Sequence, residues 1–292
     1  MIRVDKLNYP STRDVLAREL VRTTPVNRGS WQSGDAPSSV HELEDVLLQF
    51  SVPAVANLWA ADVYPGAQAP GMSADLDWAE AHFQERISGK PLNPAPSYLD
   101  WPWHSDKYKE EYKAKHLAFD NDPNFGRVAV ELREQPFDHT YPERMWPTFA
   151  GSHHLRPDCT IVNPMHGIRF DYGDLSDVIA LLRRDPFTRQ AYLPIWFPED
   201  TGSTAGQRVP CTLGYHFIRY GAQLNVKYFI RSCDITRHLH NDVYMAGRLL
   251  QYVVSCLEGA RSSQPGFPFV GDLTMFISNL HMFTADEWRY TK

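Results

Sequence analysis

The sequence lacks the long apolar segments that anchor a protein in a membrane or export it. It has no run of about 18 apolar residues, the length that a membrane-spanning helix needs. The first residues, MIRVDKLNYPSTRDVLAREL, contain no apolar core of a secretory signal. We therefore expect a protein of the cytoplasm that has no membrane partner.

Cysteine is scarce in the chain, and basic residues are not in excess. The four cysteines, Cys159, Cys211, Cys233 and Cys256, form no CxxC pair, and without a secretory signal we expect free thiols. The formal net charge of −6 argues against nucleic acid as a partner. A small molecule that carries a phosphate remains compatible with this charge, because a few local arginines suffice to bind it.

The two halves of the chain differ in composition. Hydrophobic residues make up 43% of the 292 residues and charged residues 22%, as in an ordinary globular protein, and we predict one domain over 1–292. Residues 60–150 hold much of the proline and tryptophan, which indicates long loops with short helices over 75–88 and 105–119, and we predict a loop-rich elaboration over 60–140. Such loops either build a site or form an insertion without a functional role.

The second half shows clearer periodicity. Leu175, Val178, Ile179 and Leu182 recur at helical spacing. The pattern predicts, in chain order, a helix over 175–185, a buried strand over 191–197, two strands joined at Tyr220-Gly221-Ala222-Gln223, a long apolar helix from Asp242, and a strand over 272–283. The predicted fold class is α+β, with a large mixed sheet, packed helices and a loop-rich N-terminal half.

Cys211 is a candidate nucleophile. It follows a proline in RVPCTLGYHF and starts a predicted strand, where a side chain can face a cleft. A cysteine nucleophile needs thiolate character, which a nearby Arg208 or Arg231 would supply. The alternative is that Cys211 is a small buried hydrophobic residue.

The segment RSCDITRHLHND, residues 231–242, is rich in polar side chains. His238 and His240, with His153 and His154, suggest a zinc site, but no Cys/His set with the usual ligand spacing occurs. A phosphate site is favoured over a metal site. The candidates for it lie at predicted loop or strand ends, and guanidinium groups match phosphate oxygens: they are Arg28, Arg189, Arg231 and Ser232.

Several motifs resemble, in the same order, those of the thymidylate synthase family. They are DPFTRQAYLPIW, VPCTLGYHF, LNVKYFIRSCD, the helix that contains Asp242, and SNLHMF. The family has a DPxSRR segment, a PC nucleophile strand, an RSxD turn, an Asn at the position of Asp242, and a late HxY. The resemblance covers residues from about 141 to 283. The Arg28 loop also resembles the family's N-terminal phosphate-binding loop.

The resemblance implies a homodimer around a large twisted sheet. The substrate would be a pyrimidine nucleoside 5′-monophosphate, with 5,10-methylenetetrahydrofolate as one-carbon donor. Cys211 would attack C6 of the base so that C5 captures the folate methylene group. The other implied contacts are Arg28, Arg231 and Ser232 with the phosphate, Arg189 with the phosphate across the dimer interface, Asp234 with base or folate, His281 with the sugar hydroxyls, and Tyr141 with Arg144 in an active-site tyrosine loop.

Departures from the family motifs indicate the substrate. The family's second Arg, the His after the nucleophile and the late Tyr are Gln190, Thr212 and Phe283 here. The base-reading Asn is Asp242. A carboxamide matches uracil N3–H and O4 together. Cytosine presents an N3 acceptor and an N4 amino donor, so a carboxylate accepts from N4–H, and a protonated carboxyl or protonated N3 completes the pair. Each unmatched buried group costs about 1–3 kcal/mol.

With an Asp at this position, the chain resembles the hydroxymethylase branch of the family. This branch includes the CMP hydroxymethylases of mildiomycin-type nucleoside antibiotic biosynthesis. In that branch water hydrates the exocyclic methylene group, whereas thymidylate synthase reduces it by hydride from the folate. Only nine residues follow Phe283, while thymidylate synthases continue into a tail that excludes water. Phe283 opens space near the sugar, so we favour CMP over dCMP.

Two alternatives accompany this expectation, and one family residue stays unassigned. If the motif is shifted by one position, Asn241 reads the base, and the chain is a uracil-directed methylase or hydroxymethylase of UMP or dUMP. The chain could also be a nucleotide-binding protein without catalysis. The family's early general acid/base Glu is not assigned, because several residues compete for that role: Glu80, Glu85, Glu110, Glu111 and Glu131.

Overall fold

The structure, a computed structural model, describes residues 2–5, 9–28, 38–52, 76–92, 95–98, 139–147, 173–197, 200, 209–258 and 269–291. The chain divides into two compact units. The sheet unit comprises Met1–Ala74, Leu182–Tyr192 and Cys211–Lys292, and the second unit comprises Asp75–Leu181 and Leu193–Pro210. The expectation of a single domain stays a prediction. The helix predicted over 105–119, and most of the region 60–140, lie outside the described residues.

The sheet unit is built on one mixed sheet. Within the described ranges, eight strands have the order β1-β3-β8-β6-β5-β4, with β2 beside β3 and β7 beside β8. The sheet contains antiparallel pairs, β3 with β8 and β5 with β6, and parallel pairs such as β6 with β8. The strands are β1 (Ile2–Asp5), β2 (Val26–Arg28), β3 (Ser38–Ser51), β4 (Tyr192–Pro194), β5 (Thr212–Tyr220), β6 (Gln223–Ile230), β7 (Cys233–Asp234) and β8 (Phe269–Phe283).

Helices cover one face of this sheet. Helix α1 (Tyr9–Val21) packs on β3, and α5 (Leu239–Glu258) packs on β6 and β8. The second unit contains α2 (Leu76–Arg86) and α3 (Tyr141–Met145), and α4 (Leu175–Arg184) runs across the division. Two 3-10 helices are Pro96–Tyr98 and Thr284–Arg289. None of the described helices is long and apolar enough to cross a membrane. The α+β class is confirmed.

The core lies between the sheet and α5. Alternate residues of β6 and β8 point towards the helix, and fully burying such a side chain contributes about 1.5–3 kcal/mol. The buried set includes Val226, Tyr228, Leu273, Met275, Ile277, Leu249 and Val253. The opposite face carries several half-buried or exposed side chains. Among them Phe229 and Phe276 stack with ring centroids 5.0 Å apart, and Phe276 is 40% exposed.

Two glycines fit positions that other residues would strain. Gly221 turns the β5–β6 hairpin with φ 57°, in the left-handed region that glycine adopts at little cost. Gly271 lies where β8 passes β6. A Cβ at Gly271 would lie 2.2 Å from Asn225 Oδ1 and 2.8 Å from the carbonyl oxygen of Leu224, so only glycine fits there.

The structure confirms five predicted elements and corrects two others. The helices at 75–88 and 175–185, the hairpin, the long helix and the strand at 272–283 are present as α2, α4, β5–β6, α5 and β8. The strand predicted over 191–197 is only Tyr192–Pro194, because proline has no N–H to continue the ladder. The prediction of a loop-rich N-terminal half is wrong for residues 2–5, 9–28 and 38–52, which contain β1, α1, β2 and β3.

Candidate active site

Cys211 and Arg231 lie side by side at one end of the β5–β6 hairpin. The antiparallel register pairs Thr212 with Ile230, so the residues just beyond them are neighbours. The Arg231 backbone N–H donates to the Cys211 carbonyl oxygen at 2.9 Å, and Arg231 Nη2 lies 3.9 Å from Cys211 Sγ. A guanidinium at this distance stabilises a thiolate. Cys211 therefore has both partial exposure and a cation, the two properties that a nucleophilic cysteine needs.

Cys233 differs from Cys211 although the two are close in space. It is buried on β7, and burial, followed by the charge of Asp242, raises the pKa of its thiol well above the ordinary value. Asp234 and Cys211 raise it further. Cys233 therefore keeps its proton at neutral pH and is a donor rather than a nucleophile.

Asp242, the predicted base reader, lies in the first turn of α5 and faces β6. Tyr228 OH donates to Asp242 Oδ1 at 3.2 Å, and Cys233 Sγ donates to Oδ2 at 3.7 Å. The Tyr228 OH also lies 2.8 Å from Thr212 Oγ1. Both carboxylate oxygens of Asp242 thus contact protein donors. One of these donors is the buried Cys233 thiol, which also lies close to Cys211.

Asp234 holds the turn between β7 and α5. Its Oδ1 accepts from the backbone N–H groups of Thr236 at 2.7 Å and Arg237 at 3.1 Å, and Arg237 Nη1 donates to Oδ2 at 2.8 Å. Arg237 also pairs with Asp286 at 2.6 Å. The Asp234 carboxylate is therefore engaged in a local turn. A contact with base or folate would fall to its backbone, and it stays a prediction.

Ser232 and His281 form a second pair at the same end of the sheet. Strand β7 pairs with Leu280 and His281 of β8, which brings Ser232 Oγ to 3.5 Å from His281 Nδ1. Burial lowers the pKa of His281, although the carboxylates of Asp234 and Glu42 oppose this shift. A neutral His281 can serve as donor or acceptor to a hydroxyl group, which suits the predicted sugar contact.

Arg28 is not in a loop, as the sequence suggested, but at the end of β2. It forms a two-point pair with Glu42 of β3, with Nε 3.0 Å from Oε1 and Nη2 2.5 Å from Oε2. The hydrogen bond from Arg28 lowers the pKa of Glu42. Glu42 is also the cross-strand partner of His281. Arg28 is therefore connected to His281 and Ser232 through Glu42, an acidic residue.

Arg189 lies in an exposed turn after α4. Its carbonyl oxygen accepts from His216 Nε2 of β5 at 3.1 Å. Asp185 and Thr188 shape this turn through bonds to the backbone N–H groups of Phe187 and Gln190. The turn lies beside the middle of β5, whereas Arg231 and Ser232 follow the end of β6. An exposed Arg189 is compatible with the predicted role across a dimer interface, which stays a prediction.

Tyr141 belongs to the second unit, at the start of α3. The Arg86 guanidinium lies 4.0 Å from the Tyr141 ring centroid, and His82 meets the ring edge-on. Burial, followed by the charge of Arg86, lowers the pKa of His82 to about 4. His82 Nδ1 lies 2.8 Å from Ser97 Oγ, which also forms a short hydrogen bond with Glu85. Tyr141 is thus part of a buried polar cluster.

The rest of the tyrosine loop is also held by buried polar contacts. Thr140 and Glu143 form a reciprocal cap at the start of α3. Arg144 forms a two-point pair with Asp200, at 3.0 Å and 2.9 Å, and lies 4.7 Å over the ring of Phe197. These contacts fix the loop within the second unit.

The residues left open by the sequence have different fates. His238 and His240 do not form an HxH strand, because they lie in the turn before α5 and in its first turn. Burial lowers the pKa of His240 to about 4. No cluster of three metal-ligating side chains occurs in the described part of the chain. Of the candidate general acid/base residues, Glu85 is in the Tyr141 cluster and Glu80 accepts from Gln84. The remaining three lie outside the described residues.

Sequence reasoning missed Tyr228, Glu42 and the contact of Cys233 with Asp242. The alternation of β6 places Tyr228 on the inner face, and that signal was present in LNVKYFI.

No known family model matches the chain, and no curated protein is significantly similar to it.

Proposed function

We propose that the chain is a folate-dependent 5-hydroxymethylase of a cytidine 5′-monophosphate, with CMP favoured over dCMP. The observation that carries the proposal is the grouping of Cys211, Arg231 and Asp242 around one end of the sheet. The partly exposed Cys211 thiol lies 3.9 Å from the Arg231 guanidinium. The Asp242 carboxylate is oriented by a contact with the buried Cys233 thiol. A nucleophile and an acceptor for N4–H are the two groups that this reaction needs.

The residues have defined tasks in the proposed reaction. The Cys211 thiolate would add to C6 of cytosine, and C5 would take up the one-carbon unit that 5,10-methylenetetrahydrofolate supplies as co-substrate. Loss of the C5 proton and of tetrahydrofolate would leave an exocyclic methylene group. Water adds to that carbon, and the electrons return through the ring as Cys211 leaves C6. The products are a 5-hydroxymethyl nucleotide and tetrahydrofolate, with no change of oxidation level.

Arg231 and Ser232 are the best-supported phosphate ligands, because they follow β6 next to Cys211. The sugar hydroxyls would contact His281, 3.5 Å from Ser232. We further propose a homodimer that joins the outer faces of two sheets. The stacked Phe229 and Phe276 lie on that face, and Tyr192 at its edge is 41% exposed. Exposed aromatic side chains of this kind are typical of interfaces.

A second candidate rests on Asn241. Its Oδ1 is buried and has no hydrogen-bond partner among the described residues. If Asn241 rather than Asp242 reads the base, its carboxamide matches uracil, and the activity is a thymidylate-synthase-like methylation or hydroxymethylation of UMP or dUMP. The two candidates differ in one helix position, so a pair of substitutions separates them.

The test is to incubate the full chain with each of CMP, dCMP, UMP and dUMP and with methylenetetrahydrofolate, and to identify products by mass. We expect 5-hydroxymethyl product from the cytidine nucleotides, and no dihydrofolate. Asp242→Asn should shift the preference towards uracil by about tenfold or more, since one buried group is then mismatched. The matched control Asn241→Asp should keep the wild-type preference.

The other outcomes are equally specific. Product from UMP or dUMP alone, or formation of dihydrofolate, contradicts the proposal and favours the second candidate. If Cys211→Ser leaves nucleotide binding intact and the wild type forms no product with any nucleotide, the chain is a binding protein without catalysis.

A further inference from the structure

Three buried protein groups lie around the Asp242 carboxylate. Thr212, Tyr228 and Cys233 are 0%, 1% and 2% exposed. Tyr228 OH lies 3.2 Å from Asp242 Oδ1 and 2.8 Å from Thr212 Oγ1, and Cys233 Sγ lies 3.7 Å from Asp242 Oδ2. These contacts join β5, β6, β7 and α5 around one carboxylate.

The chemistry of the groups fixes the direction of these bonds. An ionised carboxylate only accepts, so Tyr228 donates its one proton to Asp242 Oδ1. The Tyr228 oxygen is then an acceptor towards Thr212, which donates in turn. Cys233 keeps its proton, because burial and the neighbouring acids raise its pKa well above the ordinary value. Two donors therefore point at the two oxygens of Asp242.

This arrangement restrains the rotation of the carboxylate. A terminal carboxylate with no partner adopts a broad range of torsion angles. Two donors on two different strands select one orientation of the Asp242 carboxylate. A carboxylate oxygen can accept more than one hydrogen bond, so a protein donor on it is compatible with a ligand donor. A carboxylate held in this way accepts from the N4 amino group of cytosine, and from N3–H when cytosine N3 is protonated, so that both contacts are matched. It faces the O4 of uracil as one acceptor against another, which is unfavourable.

We propose that Tyr228, itself oriented by Thr212, is a positioning residue that holds the Asp242 carboxylate for reading the base and so sets the preference for cytosine over uracil. This inference rests on the proposed function, in which Asp242 reads the base. Tyr228 and Thr212 act through Asp242 and do not touch the nucleotide. The preference therefore depends on the donors behind the carboxylate as well as on the carboxylate itself.

The hydroxyl of Tyr228 can be separated from the packing of its ring. The ring stacks on Tyr215, with centroids 4.5 Å apart and planes at 18°, and a phenylalanine keeps that stack. Tyr215 is the cross-strand partner of Tyr228 and is equally buried. Tyr215→Phe is therefore a matched control, because it removes a buried hydroxyl from the same stack but leaves the contact with Asp242.

The experiment measures the dissociation constants of CMP and UMP for the full chain by titration calorimetry. We expect the wild type to prefer CMP. Tyr228→Phe should lower the CMP-to-UMP preference about tenfold, the effect of one hydrogen bond to a charged group. Thr212→Val, a milder change of similar shape, should lower it about threefold, and Tyr215→Phe should leave it within about twofold.

A double substitution separates positioning from general destabilisation. In an Asp242→Ala background, Tyr228→Phe should produce no further change in the preference, because Tyr228 acts only through that carboxylate. A further drop in that background overturns the inference. So does a wild-type CMP preference that survives both Tyr228→Phe and Thr212→Val, and in that case the proposed function stands. A wild type that prefers UMP, or that binds both nucleotides equally, overturns the inference and the proposed function together.

Discussion

Removal of the Asp286 carboxylate should destabilise the turn that carries Asp234. Asp286 lies in the 3-10 helix Thr284–Arg289, and Arg237 Nη1 bridges Asp286 at 2.6 Å and Asp234 at 2.8 Å. Arg289 Nε adds a contact to Asp286 at 3.3 Å. The side chains of Asp286 and Asp234 are 7% and 4% exposed, so two buried acids are held here by two partly exposed arginines.

The cost of Asp286→Ala follows from this geometry. Breaking a fully buried ion pair costs about 3–5 kcal/mol, because the remaining charge has lost its partner. Arg237 keeps Asp234, however, and its side chain is 28% exposed, so water replaces part of the lost contact. The discounted cost is about 2 kcal/mol. The substitution Asp286→Asn, which keeps the size and one acceptor, should cost less.

The assay is urea unfolding, combined with hydrogen exchange of the Thr236 and Arg237 amides that donate to Asp234. Both amides should lose protection in Asp286→Ala, because Arg237 no longer anchors the turn to the C-terminal helix. The control is Glu19→Ala, which removes the Arg22–Glu19 pair at 2.7 Å with side chains 72% and 39% exposed. Exposed pairs contribute about 0–1 kcal/mol. If Asp286→Ala costs no more than this control, the buried network does not stabilise the turn.

Two further predictions concern pH and the dimer. Burial lowers the pKa of His240 from 6.5 to about 4, so the unfolded chain binds more protons in that range, and stability should fall as pH drops from about 6.5 towards 4. The loss of unfolding free energy from this group is about 3 kcal/mol. Urea unfolding at pH 7 and pH 4.5 should therefore show a smaller decrease in stability for His240→Gln than for the wild type. Equal decreases in the two proteins would contradict this prediction. If Arg189 acts across a dimer, mixing inactive Arg189→Ala and Cys211→Ser chains should restore about a quarter of the wild-type sites, because each mixed dimer has one intact site. No recovery after subunit exchange would place Arg189 in its own subunit's site or in none.

The long strand β3 shows why part of the fold was not predicted. In β3, Val46 and Leu48 point to the core at alternate positions, as a strand pattern requires. Glu42 and Glu44 occupy the same parity earlier in the strand and interrupt the pattern. Asp45 adds a backbone φ of 54°. Acids near the site therefore mask a strand that tertiary pairing with β8 establishes.

The candidate site was predictable where one hairpin creates it. A short turn at 221–222 brings Cys211 and Arg231 together through antiparallel register, and sequence spacing alone supports that pairing. The contact between Tyr228 and Asp242 depends on how α5 packs against β6. That packing is a property of the assembled core, so no local spacing rule predicts it. The pairing of Arg28 with Glu42 depends likewise on the register between β2 and β3.

Glu42 changes how the phosphate contacts should be divided. The Arg28 side chain is 53% exposed, so its pair with Glu42 contributes little stability, and a phosphate can compete for it. Glu42 is only 14% exposed and adjoins a neutral His281, so it relies on Arg28 as its counter-ion. A phosphate dianion that recruits Arg28 must approach this acid and incur like-charge repulsion. Arg231 and Ser232 follow the end of β6, and Arg231 lies next to Cys211. Under the proposed function they are therefore the better candidates for the main phosphate contact, with Arg28 contributing a smaller share.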